Sequence, residues 1–210
     1  NKKGTYIYEA SGLYDGNCWR KNIVMELGNN YSYASEYREG FFVEEKMKRA
    51  WAAEMEVLKE IDRICNAHGI QYFADSGTLL GAVRHKGFIP WDDDIDVGML
   101  REDYEKFLKV VQQELPPNMK MQTRKTEKGN HNVFTKIRID NTLFATKFTG
   151  QFPTMHNGIF IDVVCHDQTA NSKWGQKLHL VATLGTRSMV FNKWGSTPID
   201  TEGFPKALTA

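Results

Sequence analysis

The most informative stretch of the sequence is residues 88–98, which read FIPWDDDIDVG. Alternate residues of a β-strand share a face, so a strand here would place Asp94 and Asp96 together while Ile95 and Val97 enter the core. Two adjacent carboxylates repel each other unless a cation lies between them. Hard oxygen ligands suit Mg²⁺ or Mn²⁺, which commonly also bind substrate phosphates. The stretch therefore predicts a divalent-cation site on a strand.

Two other interpretations of these acids stay open at this point. The first is a solvated acidic turn after Pro90, the commoner explanation of an isolated Asp-X-Asp, although the apolar residues between the acids argue against it. The second is a calcium loop, which would need Gly at the position of Val97 and a bidentate Glu at that of Asp103. The metal-bearing strand is the interpretation that the pattern favours.

A small-residue turn, Ser76-Gly77-Thr78, lies upstream of the acids between a predicted strand and a predicted short helix. Backbone N–H groups at a helix N-terminus form a ready phosphate site, and Gly77 would allow close approach because it has no Cβ. Basic groups are also needed to offset phosphate charge. We expect the turn, together with Arg84 and Lys136, to bind the phosphates of the substrate.

Asp162 is the candidate for a third carboxylate. It is an isolated acid in the apolar run FIDVV at residues 160–164, where a charge is costly unless it is paired or metal-bound. A third acid is expected where two metal ions assist phosphoryl transfer. The simpler alternative is a strand-end carboxylate paired with a basic residue. We predict that Asp94, Asp96 and Asp162 are catalytic and bind the metal.

Composition limits the class of protein. The chain has 210 residues, of which 41% are hydrophobic and 25% charged, and its net charge is +1. Such a chain can bury a core, and it has no global field that would recruit nucleic acid. No apolar stretch is long enough to span a bilayer. The three cysteines have no zinc-ligand spacing.

Hydrophobic periodicity predicts mixed helix and strand. Residues 42–68 are predicted to form a helix with charged residues on one face and an apolar face of Met47, Trp51, Met55, Leu58, Ile61, Ile64 and Cys65. Residues 1–41 are interpreted as an irregular extension or short strands. Further strands are predicted at 70–74, 95–100, 119–122, 133–139, 143–145 and 160–164, and further helices at 78–85, 101–113 and 178–191. Helices and strands that mix without regular βαβ alternation favour an α+β domain.

The stretch from Tyr72 to Met99 resembles the LicD family, which includes bacterial phosphorylcholine transferases and the animal fukutin and fukutin-related proteins. The resemblance rests on DSGTLLGAVRH at residues 75–85 and IPWDDDIDVG at 89–98, followed in the expected order by TKIR at 135–138, NT at 141–142 and GIFID at 158–162. It implies a nucleotidyltransferase-like mixed sheet flanked by helices over residues 42–210. On that pattern Asp94 and Asp96 correspond to the metal-binding acids and Asp162 to the third acid, while Gly77 and Thr78 fit the nucleotide-side turn.

The resemblance also implies a reaction, the metal-dependent transfer of phosphocholine or ribitol phosphate from a CDP-linked donor to a hydroxyl of a glycan or glycoconjugate. A bacterial-type member would be cytoplasmic, and a fukutin-type member would lie in the Golgi lumen. Choline would need an aromatic cage, for which Trp91, Tyr72, Phe88 and Trp174 are candidates. Two alternatives remain, a glycosyltransferase with a single metal at its Asp-X-Asp and a non-catalytic nucleotide- or glycan-binding module.

Two departures from the family pattern stand out. The residues after Asp162 read VVCHD, where the family usually continues with an apolar residue, Pro and an acid. The chain also ends at Ala210 without the family's usual C-terminal block. We therefore expect either that the domain is truncated there or that this branch of the family differs.

Overall fold

The computed structural model describes residues 5–9, 12–14, 17–19, 22–26, 32–127, 130, 132–144 and 155–195. The chain divides into two compact units, Asn1–His166 and Asp167–Ala210. The first unit contains the central sheet and every residue predicted above to bind metal or phosphate. In the second unit the described structure is mainly one long helix.

The N-terminal residues form short antiparallel strand pairs where the structure describes them. A two-residue loop joins the last pair, and its residues Glu39 and Gly40 have φ of 52° and 81°. Two positive φ angles in succession are typical of a tight hairpin whose twist matches that of its strands. The pairs are β1 (Thr5–Glu9) with β4 (Asn22–Glu26), β2 (Gly12–Tyr14) with β3 (Asn17–Trp19), and β5 (Glu36–Arg38) with β6 (Phe41–Val43).

Helix α1 spans Glu45–His68, which confirms the helix predicted over 42–68. It ends where Gly69 adopts the left-handed conformation, φ 60°, that favours glycine. Its buried face differs from the predicted one by one position, because Glu54 is buried while Met55 is exposed. The prediction that charged residues fill only the solvent face is therefore wrong, and Lys48 is a second exception.

A five-stranded mixed sheet forms the centre of the first unit, in the order β7-β8-β11-β10-β9. Strands β8 and β11 are parallel, and the other neighbours are antiparallel. The strands are β7 (Phe73–Ala74), β8 (Asp96–Leu100), β9 (Met119–Gln122), β10 (Thr135–Ile139) and β11 (Phe160–His166). Residues 143–144 are not in a strand, contrary to prediction, and Ala145 lies outside the described residues. The α+β class with a mixed sheet and helices is confirmed.

Two further helices complete the first unit, α2 (Ser76–Arg84) and α3 (Arg101–Glu114). Helix α2 begins two residues earlier than predicted, directly after Asp75, whose backbone is extended and whose side chain accepts a hydrogen bond from Ser76 N. Asp is one of the residues favoured at this capping position. The core packs residues of α1 and α3 against the sheet, among them Ile61, Phe107 and Ile161.

The second unit contains α4 (Lys173–Gly195), which is longer than the predicted helix over 178–191. Across the described residues, no helix combines the length and the apolar character that crossing a membrane requires.

Candidate active site

The parallel pairing of β8 with β11 places Asp96 directly beside Asp162. The backbone N–H of Asp162 also donates to the carbonyl oxygen of Ile95, at 3.0 Å. As a result, carboxylate oxygens of Asp94, Asp96 and Asp162 lie within 4.8 Å of one another. The fold thus brings together the three acids that were predicted to share a site, although the third is distant in sequence.

The alternation predicted around Asp94 is present, although strand β8 begins only at Asp96. Ile95 and Val97 are each only 2% exposed, in the core beneath the acids. Burial of these two apolar side chains fixes the register of the segment, because a slip of one residue would exchange the two faces. Asp94 and Asp96 therefore remain on the same side.

Burial and mutual repulsion make the three acids weaker than usual. Burial, followed by the charges of Asp96, Asp92 and Asp93, raises the pKa of Asp94 to about 6. Burial, followed by the charge of Asp162, raises the pKa of Asp96 to about 6 as well. Burial also raises the pKa of Asp162, against the opposing attraction of Lys136. A nearby divalent cation would stabilise the ionised form of all three.

Lys136 is the cation that the structure pairs with this group. It lies opposite Asp162 in the antiparallel β10–β11 ladder, and its Nζ donates to Asp162 Oδ1 at 2.5 Å. The same Nζ lies 3.4 Å from the centre of the Phe160 ring, close enough for a cation–π contact. Lys136 thus holds the carboxylate of Asp162 in place. Among the described residues, no basic side chain forms an ion pair with Asp94 or Asp96.

Two hydrogen bonds connect the start of α2, at Asp75 and Thr78, with Asp96 at the start of β8. Asp75 N donates to Asp96 O at 3.0 Å, and Asp96 N donates to Thr78 Oγ1 at 2.8 Å. Ser76 adopts φ 44°, which is unusual for a residue other than glycine. The first turn of α2, whose N–H groups lack helical partners, is therefore held next to the acids.

Gly77 makes room for a carboxylate. A Cβ at this position would lie 2.3 Å from Asp92 Oδ2, so a larger residue would displace that side chain. We expected the missing Cβ to admit a substrate phosphate, but in this structure the neighbouring atoms belong to Asp92. The backbone of Asp92 is fixed in turn, because its carbonyl accepts a hydrogen bond from Trp51 Nε1 at 2.8 Å.

The structure does not bring Arg84 to the acids. Arg84 is the last residue of α2, whereas Ser76 is the first, and a nine-residue helix separates its ends by about 12 Å. Its side chain is exposed, and Nε donates to Nε2 of His85 at 2.7 Å. A helix whose N-terminus faces a site directs its C-terminus away, so the predicted phosphate contact of Arg84 is not supported.

His166 is a site neighbour that the sequence did not reveal. Its Nε2 lies 2.7 Å from Oδ2 of Asp75, the capping residue of α2. His166 occurs four residues after Asp162 on β11, so the two share a face of that strand. The even spacing from Asp162 could have indicated that His166 is near the site, but no motif distinguished His166 from the other histidines.

The donor set fits a hard divalent cation. Three carboxylates within 4.8 Å of one another match the oxygen ligands that Mg²⁺ and Mn²⁺ prefer, and sulfur and imidazole ligands are absent from the group. In a second group, carboxylate oxygens of Asp92, Asp93 and Asp94 also lie within 4.8 Å of one another. The two groups share Asp94.

A family profile described as "LicD/FKTN/FKRP, nucleotidyltransferase domain" matches residues 69–193, more than half of the chain. The chain is 46% identical over 69 residues to the lipopolysaccharide cholinephosphotransferase LicD of Haemophilus influenzae, which covers 33% of this chain and 26% of that protein. It is 42% identical over 48 residues to human ribitol 5-phosphate transferase FKRP, which covers 23% of this chain and 10% of that protein. The matched segments thus span about a quarter or less of these relatives.

Proposed function

Because the chain belongs to the LicD/FKTN/FKRP nucleotidyltransferase family, we propose that it transfers a phosphorylated alcohol from a CDP-linked donor to a glycan hydroxyl, with the help of Mg²⁺ or Mn²⁺. The observation that carries the proposal is the grouping of Asp94, Asp96 and Asp162 beside a helix N-terminus. Phosphoryl transfer is catalysed mainly by positioning and by charge stabilisation, and this arrangement supplies both.

Each acid has a defined part in the proposal. Asp94 and Asp96 would hold the cation, which would offset the charge of the diphosphate and of the departing nucleotide. Asp162 is held by Lys136, whose charge opposes the effect of burial on the pKa of this acid, and we assign Asp162 the part of a third metal ligand. Gly77 and Thr78 would direct N–H groups from the first turn of α2 at a phosphate oxygen.

A cavity of about 760 Å³ lies in the same unit and has Asp93 in its wall. This volume is within the usual range for small-molecule sites. The wall has three aromatic residues, three acids and two cations, namely Phe41, Phe42, Phe144, Glu44, Glu45, Asp93, Lys46 and Arg49. We assign the cavity to the alcohol end of the donor, since Asp93 belongs to the same loop as the metal-binding acids.

We expect the wall to favour phosphocholine over ribitol phosphate, because its aromatic residues and acids outnumber its two cations. Aromatic faces and carboxylates attract a quaternary ammonium, whereas a polyol needs many hydrogen-bonding groups. The aromatic residues named from the sequence are less suitable for a cage. Phe88 stacks on Trp51, and Tyr72 donates to Asp62. Trp174 is in the second unit, and its part in a cage stays a prediction. Trp91 remains a candidate because it is 53% exposed.

Calorimetric titration of CDP-choline and of CDP-ribitol into the 210-residue chain, with and without Mg²⁺ or Mn²⁺, tests the proposal. We expect metal-dependent binding, with CDP-choline the tighter ligand. Asp103→Asn, which changes a partly buried acid of α3 that pairs with Lys106, is the control and should bind like the wild type. Binding of neither donor in the presence of metal would contradict the proposal.

Asp162→Asn separates the proposal from a single-metal glycosyltransferase. In the phosphotransferase the variant should lose most of its turnover with a CDP-linked donor, because the third ligand is gone. A glycosyltransferase that uses only the Asp-X-Asp pair does not need Asp162. Retention of full turnover by this variant would therefore favour that alternative.

A further inference from the structure

Glu54 is a buried acid that has no part in the proposed metal and phosphate binding. It lies in the middle of α1, only 1% of it is exposed, and its Oε2 has no hydrogen-bond partner among the described residues. Lys48, the other buried charge on this helix, does have partners, because its Nζ donates to Ala34 O at 3.0 Å and lies 3.3 Å from Glu36. Buried carboxylates are normally paired or bound to metal, so Glu54 requires an explanation.

Helix geometry places Glu54 against the acidic loop. Trp51 lies three residues earlier, hence on the same face of α1, and its Nε1 donates to the backbone oxygen of Asp92. Burial, followed by the charges of Asp94, Asp93 and Asp92, raises the pKa of Glu54 well above the ordinary value. The helix therefore directs a fourth carboxyl group at a loop that is already strongly negative.

The second acidic group, Asp92, Asp93 and Asp94, is the candidate partner of Glu54. Oxygens of Asp92, Asp93 and Asp94 lie within 4.8 Å of one another, and Glu54 is outside that group. A carboxylate just beyond the direct ligands commonly accepts hydrogen bonds from metal-bound water, and Mg²⁺ usually keeps several waters. This arrangement would give the buried oxygen its missing partner.

We infer that Glu54 is a positioning residue of the metal site, whose carboxylate binds the hydration shell of a divalent cation held at Asp92, Asp93 and Asp94. The inference rests on the proposed function in that it requires the chain to bind such a cation. It adds a residue from α1, upstream of the acidic motif, and a second cation position that shares Asp94 with the first. The alternative is that Glu54 is a neutral buried acid with a purely structural role.

Mn²⁺ titration followed by electron paramagnetic resonance of the free ion tests the inference. We expect Glu54→Gln to weaken Mn²⁺ binding about tenfold to a hundredfold, as is usual for residues that support metal ligands. Glu56→Gln is the matched control, since it makes the same change two residues away, at a side chain that pairs with Lys59. The control should bind Mn²⁺ like the wild type.

Thermal melting distinguishes a role of Glu54 at the metal site from a purely structural role. Without metal, Glu54→Gln should melt at or above the wild-type temperature, because an unpartnered carboxyl near other acids is removed. With Mn²⁺, it should gain less stability than the wild type. A lower melting temperature without metal, combined with a full Mn²⁺-induced gain, would assign Glu54 a structural role only.

The outcomes separate this inference from the proposed function. Unchanged Mn²⁺ affinity in folded Glu54→Gln would overturn the inference and leave the proposed function standing. Failure of the wild type to bind Mn²⁺ would overturn both. If Glu54→Gln does not fold, Glu54→Met provides the same test, because it keeps the length of the side chain but removes the carboxylate.

Discussion

Lys136 and Arg138 are buried cations on the same face of β10, but their surroundings differ. Arg138 donates to Gln122 Oε1 and to Gly158 O, each at 2.5 Å. Gln122 in turn donates to Glu127, and Glu127 accepts from the backbone of His156. We call this set the arginine network. Its polar groups form a closed arrangement in which each side chain has a partner.

Lys136, by contrast, lies in an open arrangement. It donates to Asp162, while Asp94 and Asp96 add two more carboxylates nearby. We call these three acids the acidic site. Burial, followed by repulsion from the neighbouring acids that one lysine does not balance, raises the pKa of Asp94 and that of Asp96 to about 6. The comparison shows a closed network around Arg138 and a surplus of carboxylates around Lys136, which is the arrangement that the proposed divalent cation would balance.

The largest expected effect is on turnover. Asp96→Asn should reduce transfer from a CDP-linked donor by about a thousandfold or more, because a metal ligand and its charge are lost. The variant should melt no lower than the wild type without metal, since repulsion with Asp162 is relieved. A radiolabelled-donor assay and thermal melting measure the two effects. Turnover within about twofold of the wild type would remove Asp96 from the site.

Lys136→Met and Arg138→Met test the two arrangements directly. Each should lower the free energy of unfolding by about 3–5 kcal/mol, because a buried partner loses its cation or its hydrogen bonds. Mn²⁺ should stabilise both variants because it binds the folded state, but it should restore more of the loss in Lys136→Met than in Arg138→Met, because there it also replaces the missing positive charge beside Asp162. Urea denaturation with and without Mn²⁺ provides the measurement. Equal restoration in both variants would contradict the distinction.

Acidic pH should weaken metal binding at the acidic site. The folded-state pKa values of Asp94 and Asp96, about 6, exceed the ordinary value of 3.8. Between pH 3.8 and about 6 the metal-free folded chain therefore binds more protons than the unfolded chain. The stability that protonated Asp94 and Asp96 contribute is lost as pH rises through about 6. Mn²⁺ affinity should change in the opposite direction and fall about tenfold or more from pH 7 to 5, because its ligands must be ionised. An affinity that stays constant over this range would show that these acids are not the ligands.

Arg84→Ala should have the smallest effect. Arg84 lies at the far end of α2 and contacts His85, so we expect the affinity for the CDP-linked donor to stay within about twofold and the unfolding free energy within about 0.5 kcal/mol. Calorimetry and urea denaturation provide the two measurements. A tenfold loss of donor affinity would show that Arg84 reaches the phosphates after all.

The sequence revealed the local parts of this site and missed those that depend on long-range packing. Alternation along residues 94–97 was sufficient to place Asp94 and Asp96 on one face, because it depends only on strand geometry. An isolated acid in an apolar run was sufficient to select Asp162. The parallel register that places Asp162 beside Asp96 could not be read from either segment alone.

Two features of the helices could not be read from the sequence. Arg84 was predicted to bind phosphate because basic groups are needed there, but the direction of α2 carries it away from the acids, so its contact with phosphate stays a prediction. Glu54 was assigned to the solvent face of α1, although it lies three residues from Trp51 and therefore within the buried stripe. In both cases the sequence predicted the helix, but the way the helix packs against the sheet depends on long-range contacts that it did not reveal.

The central claim is that Asp94, Asp96 and Asp162 bind a divalent cation. Anomalous diffraction from crystals of the chain grown with Mn²⁺ tests it most directly, because the signal locates the metal itself. We predict an anomalous peak between the carboxylates of these three residues, lost in Asp96→Asn. Crystals that contain Mn²⁺ but show no peak at this position, or only one elsewhere, would contradict the claim.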